Sequence, residues 1–355
     1  MPLTPFRKPV PVFILFVAIC LAACAPRKPL PRLAAGKPVL FGLHVLLENR
    51  PSANELIKEI PALAARGVNL LIAEMDYNFA YTSHPELRGD DPVAKETVKQ
   101  ILALCRRHRI RLIPEFQSLG HQSWAEKTFP LLIKHPEFDE SPGRYPGNKD
   151  IYCRSWCPLH PDVNPIVFDL LDELVDVFEA DALHVGMDEV FIIADDACPR
   201  CRGKNKAELF ARAVNDLHDH LVGKRGVEMW MWADRFIDGT ATGYGEWEAS
   251  KNGTYPAVDM IPRDIVMCDW HYETQYGTMK GHPSVAMFLE KGFRVLPTSF
   301  RNVRAAKSFF DETFVLDSER MLGHLCTIWR GPTAGVTANY PPLKAISKRL
   351  AVRSR

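Results

Sequence analysis

Eight short apolar runs recur along this chain, most of them separated by a segment whose apolar residues repeat at helical spacing. They cover residues 39–47, 68–74, 109–115, 183–187, 227–232, 264–270, 292–298 and 321–329. Runs of this length bounded by turn signals read as strands buried on both faces, the pattern of a parallel sheet. Eight of them alternating with helices predict an α/β fold, a (β/α)8 TIM barrel. A doubly wound open sheet is the other arrangement such a pattern allows. Ser52 with Glu55 reads as a capping box opening a helix that Gly67 stops. Asp91 and Pro92 read as the start of a second helix, with Val98, Ile101, Leu102 and Cys105 along one face. Val167, Leu170, Leu171, Leu174 and Phe178 mark a third, and Phe210, Ala213, Val214, Leu217 and Leu221 a fourth. Further helices are expected over 284–291, 301–310 and 343–352. A chain of 355 residues accommodates one such barrel as a single domain over 39–355.

The first residues follow a different logic. Arg7 and Lys8 precede an apolar run over 10–23 that is too short to cross a bilayer comfortably. That order reads as a signal peptide over 1–24. Its end, Leu21-Ala22-Ala23-Cys24, resembles a bacterial lipobox, which implies a lipidated Cys24. Residues 25–38, rich in proline and basic groups, then form a tether. The expectation is a lipoprotein of the bacterial cell envelope, held on a membrane by its lipid and facing the periplasm or the exterior. A net charge of +1 with no basic tract argues against a nucleic-acid partner.

Chemistry gathers where the strands end. The run Leu183-His184-Val185-Gly186-Met187-Asp188-Glu189-Val190 closes on two adjacent carboxylates. Charges there are costly unless used, because burial raises a carboxyl pKa or destabilises the fold. Adjacent strand residues point to opposite faces, so both serve one site only at a bend, which Gly186 permits. Glu74, Asp76, Glu115, Asp234 and Tyr272 also sit at or just past strand ends, as do Trp232, Trp270 and Trp329. Several tryptophans so placed suit a sugar, whose apolar C–H faces stack on aromatic planes. His121 follows the third strand in Leu119-Gly120-His121, before a long Pro-, Gly- and aromatic-rich excursion over 122–161. Loops of that length are commonly functional.

The His184-x-Gly186-x-Asp188-Glu189 strand resembles that of glycoside hydrolase family 20, the β-N-acetylhexosaminidases. Ile113-Pro114-Glu115 with Gly120-His121 resembles the family's third-strand signature, and Trp232 with Asp234, Trp270 and Trp329 fall at the family's pocket-wall positions. The resemblance implies release of N-acetylhexosamine (GlcNAc or GalNAc) from a glycan with retention, by a substrate-assisted mechanism. It assigns Glu189 as acid and base, Asp188 as the group steadying the acetamido substituent, and His121, with Glu74 or Asp76, as support for Glu189. Arg50, His184, Trp232, Asp234, Trp270, Tyr272 and Trp329 would contribute to substrate binding. Departures are equally specific. Met187 replaces a usual glycine, Leu119 a proline, and Arg50 lies one position later than the sugar-binding arginine. Thr298-Ser299-Phe300 stands where the family has Tyr-Leu-Asp, leaving Tyr272 as a substitute for its tyrosine. No acid follows Trp329.

Two other classes fit parts of the pattern. One is a metal-dependent barrel hydrolase with His121, Glu115, His184 and Asp188 as ligands, although no tight His spacing supports it. The other is a catalytically silent glycan-binding surface lipoprotein. The hexosaminidase reading needs no cofactor. Cys153-x3-Cys157 and Cys198-x2-Cys201 lie in adjacent loops, and either two disulfides or a structural zinc site would pin them together. Cys268 and Cys326 are expected to be buried thiols.

Overall fold

The computed structural model describes residues 39–144, 151–276, 279–316 and 318–353. The expected signal peptide, Cys24 and the tether lie outside the described residues. Eight parallel strands close into one barrel: β1 Leu40–Leu46, β2 Leu70–Glu74, β3 Arg111–Ser118, β4 Ala182–Gly186, β5 Glu228–Trp232, β6 Val266–Trp270, β7 Arg294–Ser299 and β8 Gly323–Ile328. Each pairs with its sequence neighbours and β8 returns to β1, which excludes the open sheet. The outer layer is α1 Arg50–Ala65, α2 Lys95–Arg107, α3 Val163–Phe178, α4 Lys206–His218, α5 Pro283–Glu290, α6 Val303–Val315 and α7 Pro341–Arg353. Between β5 and β6 the crossover holds only the short turns Asp234–Phe236, Gly239–Thr242 and Tyr255–Asp259. No helix among the described residues is long and apolar enough to cross a membrane.

Two helix starts differ from the sequence reading. The capping box of α1 is made by Asn49, whose side chain accepts the Ser52 N–H at 2.9 Å while Ser52 Oγ accepts the Asn49 N–H at 3.1 Å. Pro51 thus falls in the first turn, where its missing N–H costs nothing. α2 begins at Lys95 rather than at Asp91. The segment before it is taken up by pairing, since Phe79 bridges Val93 and the Val93 N–H binds the Asn78 carbonyl at 2.6 Å.

Two apolar cores follow from the alternation of strand faces. Outward residues such as Phe41, Leu43, Leu71, Val185 and Met231 meet the buried faces of the helices. Inward residues fill the barrel, with Leu70, Ile72, Ile113, Trp230, Val266 and Leu325 among them. Toward the C-terminal end the interior turns polar, with His44, Glu115 and His184 fully buried. β3 and β4 shift register between Glu115 and Ser118, directly beneath the loops that carry His121 and Asp188.

Candidate active site

The last residues of β4 turn sharply. Gly186 has φ +64°, and a Cβ there would lie 2.0 Å from Gln117 Oε1 and 2.9 Å from its Cα, so only glycine fits against β3. Met187 and Glu189 also have positive φ, 70° and 50°, as do Leu119 and His121 on the facing loop, 61° and 51°. Such conformations cost a non-glycine residue on the order of 1–3 kcal/mol each and gather at sites where geometry matters more than stability. They turn Asp188 and Glu189 toward one cavity despite their adjacency. Met187 accepts the strain where a glycine is expected and tucks its side chain wholly into the core.

His121 stands against both carboxylates, its Nε2 3.5 Å from Asp188 Oδ1 and 3.3 Å from Glu189 Oε2. Cys153 Sγ lies 3.3 Å from its Nδ1. Burial alone would lower the imidazole pKa, but the Asp188 charge and then Cys153 hold it well above the ordinary value. Burial raises the Glu189 carboxyl, the His121 contact lowers it, and the Asp188 charge raises it again, for a net upward shift. The Glu189 N–H is donated to Asp234 Oδ2 at 2.9 Å, and Arg235 Nε reaches the same oxygen at 2.6 Å. Burial holds the Asp234 carboxyl up at about 6 against the pull of Arg235. Arg235 is buried and also binds the Glu246, Trp247 and Ala249 carbonyls, tying the β5–β6 loop to the backbone of Glu189.

The cavity measures about 970 Å³ and opens at the C-terminal end of the barrel. Of the residues singled out in the sequence, Asp188, Glu189, His121, Glu74, Asp76, Trp270, Tyr272 and Trp329 line it. Tyr272 stacks on Trp270 with centroids 4.9 Å apart and accepts the Trp329 indole N–H at 2.7 Å. Trp124, Tyr152, Trp247 and Glu248 also line it, though sequence reasoning passed over them. They lie on irregular loops with no periodicity to mark a face. The usable signal was bulky aromatic residues in polar stretches, and Trp124 and Trp247 stay 40% and 51% exposed.

Other candidates are placed elsewhere. Arg50 is exposed at the first turn of α1 and pairs with Asp91. The end of β1 instead presents Leu46, Glu48 and Asn49 to the cavity. His184, Trp232 and Asp234 lie beneath the cavity wall, not in it. Trp232 donates its indole N–H to Glu115 Oε1 at 2.8 Å, and His184 Nδ1 approaches the same oxygen at 3.2 Å. Glu74 and Asp76, expected with His121 in support of Glu189, meet other partners. Glu74 Oε2 meets His44 Nε2 at 3.1 Å, and Asp76 Oδ1 accepts the Gln117 N–H at 2.8 Å. His44 also lies 3.1 Å from Glu115 Oε2, giving a buried group of two histidines and two carboxylates. Burial would lower His44, but Glu115 and then Glu74 raise it to about 10; burial would raise Glu115, but His184 and His44 lower it to about 2. The proposed metal set of His121, Glu115, His184 and Asp188 is therefore divided between the barrel floor and its mouth.

Among the described residues, three groups hold enough donors for an ion: His44, Glu74 and Glu115; His121, Cys153 and Glu189; and Glu140, Cys157, Cys198 and Cys201. The expected grouping of Cys153 with the other three cysteines is corrected, since Cys153 turns to His121 and Glu140 takes its place. The sulfurs are unbonded, Cys157 Sγ lying 3.3 Å from Cys201 Sγ and 3.5 Å from Cys198 Sγ.

A closed barrel with an acid pair at the end of its fourth strand, opening into an aromatic-walled cleft, defines the class as a glycoside hydrolase. Residues 43–297 match the family model "Glycosyl hydrolase family 20, catalytic domain", and the chain belongs to that family. A β-hexosaminidase of Emericella nidulans is 25% identical over 282 residues, covering 70% of this chain and 40% of that protein. A β-hexosaminidase of Akkermansia muciniphila is 29% identical over 109 residues, covering 30% of this chain and 21% of that protein. The chain thus spans less than half the length of these curated relatives. The crystal structure of Flavobacterium johnsoniae chitobiase shares the fold with a TM-score of 0.63 at 18% identity, covering 92% of this chain and 50% of that one.

Proposed function

We propose that the protein is a β-N-acetylhexosaminidase that cleaves with retention, using the substrate's own acetamido group as nucleophile. The observation that carries this reading is Asp188 and Glu189 turned into one cavity, with His121 3.5 and 3.3 Å from them. Glu189, with its raised pKa, keeps a proton to give to the glycosidic oxygen. Asp188 accepts the acetamido N–H and stabilises the positive charge that develops as the acetamido oxygen bonds to the anomeric carbon and the C–O bond to the leaving group breaks. Glu189, now ionised, takes a proton from water, which opens the bicyclic intermediate and restores the acid. Asp234 fixes the backbone of Glu189, and Trp270 and Trp329 offer apolar faces to the sugar ring. Tyr272, which lines the cavity with Tyr77 and Tyr152, is the tyrosine we assign to the acetamido oxygen.

The test is hydrolysis of an aryl N-acetyl-β-D-glucosaminide beside the corresponding aryl β-D-glucoside. The expected result is turnover of the first and none measurable of the second. Equal turnover of both would remove the acetamido group from the mechanism, and turnover of neither would favour a silent glycan-binding protein.

A further inference from the structure

We propose that Glu140, Cys157, Cys198 and Cys201 bind one zinc ion that joins the β3–α3 excursion to the β4–α4 loop. One donor atom from each residue lies within 4.8 Å of the others, and all four side chains are buried. A zinc ion with Zn–S bonds of ~2.3 Å spaces tetrahedral ligands about 3.8 Å apart. The sulfur separations of 3.3 and 3.5 Å lie slightly inside that spacing.

The chemistry of the group favours an ion over the alternatives. A disulfide between any two of the three cysteines leaves a lone thiol beside the buried Glu140 carboxyl, a poorer set of partners than an ion would give it. Glu140 Oε1 accepts the Asp195 N–H at 3.2 Å, whereas its Oε2 is buried with no hydrogen-bond partner among the described residues. Backbone N–H groups are aimed at the sulfurs, those of Arg200 and Cys201 at Cys198 and that of Leu159 at Cys157. Donors so placed can hydrogen-bond to metal-bound thiolates, and the thiol protons leave to solvent on binding. Cys198-Pro199-Arg200-Cys201 turns on itself, with the Arg202 N–H on the Cys198 carbonyl at 3.1 Å. Three thiolates and a carboxylate give a zinc site a net charge of −2, and Arg200 acts on Cys157 with the opposite charge.

The ion would hold in place both loops that meet at the acid pair. Cys157 follows Trp156, whose N–H binds the Leu119 carbonyl at 2.9 Å, two residues before His121. Cys198 lies nine residues after Glu189 on one continuous loop. The ligand set itself touches neither His121 nor Glu189, so the role is to hold loop geometry.

The test uses the full chain, purified without added metal or chelator, with metal content read by mass spectrometry and a second preparation loaded with Co(II). The expected result is about one zinc per chain that survives dialysis, and a cobalt form with tetrahedral d–d bands and strong near-ultraviolet thiolate charge-transfer absorption. A strong chelator should lower Tm while reductant alone does not, and Glu140→Gln should release zinc to a competing chelator at least tenfold more readily. Neither readout requires glycosidase activity, so the site stands or falls apart from the proposed reaction. Zinc lost on dialysis, cobalt bound without charge-transfer bands, or an intact mass short by two hydrogens with no metal would each overturn it.

Discussion

At the scale of single residues, two neighbouring carboxyls have unequal work in the proposed reaction. There Glu189 is the proton donor, because burial, less the His121 contact and plus the Asp188 charge, leaves its carboxyl raised. Its protonated form is the active one, so the wild-type rate should fall as pH climbs past that raised pKa. Glu189→Gln should cut kcat/KM by about 10²–10⁴ for aryl substrates with poor leaving groups. For a dinitrophenyl leaving group, which departs without protonation, the first step should be slowed far less, and the alkaline limb of the pH profile should vanish. An equal loss for both substrates would assign the acid elsewhere. The pair was legible in the sequence because a strand pattern ended on it, and so was His121. The groups around them were less so. Cys153 reaches His121 across 32 residues and Asp234 reaches the Glu189 N–H across 45, contacts that only loop closure decides. Arg50 misled because position relative to a strand end does not fix direction, and here Asp91 draws it outward.

At the scale of elements, strands proved readable and loop partners did not. A buried parallel strand advertises itself by an apolar run, and all eight were found within a few residues of their observed limits. The start of α2 was misplaced because Asp91 and Pro92 carry helix-start chemistry yet belong to a segment held by the Phe79–Val93 bridge. Three of the four cysteines expected to pin two loops together do lie side by side, but a residue as ordinary in sequence as Glu140 could not announce itself as their neighbour. Strands β1 to β4 are further joined by the buried group of His44, Glu74, Glu115 and His184. Glu115, held at about 2, contributes stability that is full above the ordinary carboxylate value of 4.5 and is lost as pH falls toward 2. His44, held at about 10, contributes stability that is full below 6.5 and is lost as pH rises toward 10. Thermal melts of the wild type should therefore show their maximum between about 4.5 and 6.5. Glu115→Gln should cost on the order of 3 kcal/mol there and flatten the acid side of the curve. A variant as stable as the wild type, with the same pH profile, would show that the charges are not paired in solution.

At the scale of the molecule, closure of the barrel sends every β–α loop to one end, which is why the ends of all eight strands or the loops that follow them share one cavity. The barrel supplies a frame that hosts many reactions, and the particular chemistry rests on what the β4 loop presents. That chemistry is distinctive here because the nucleophile is claimed to be part of the substrate. Replacing the hydrogens of the N-acetyl methyl one at a time by fluorine weakens the carbonyl oxygen as a nucleophile while barely changing the size of the group. The measurement is kcat/KM for aryl N-acetyl-, N-fluoroacetyl-, N-difluoroacetyl- and N-trifluoroacetyl-β-D-glucosaminides with the wild-type protein. The account predicts a steep, monotonic fall along the series; a flat series would contradict it and leave the nucleophile to water or to the protein.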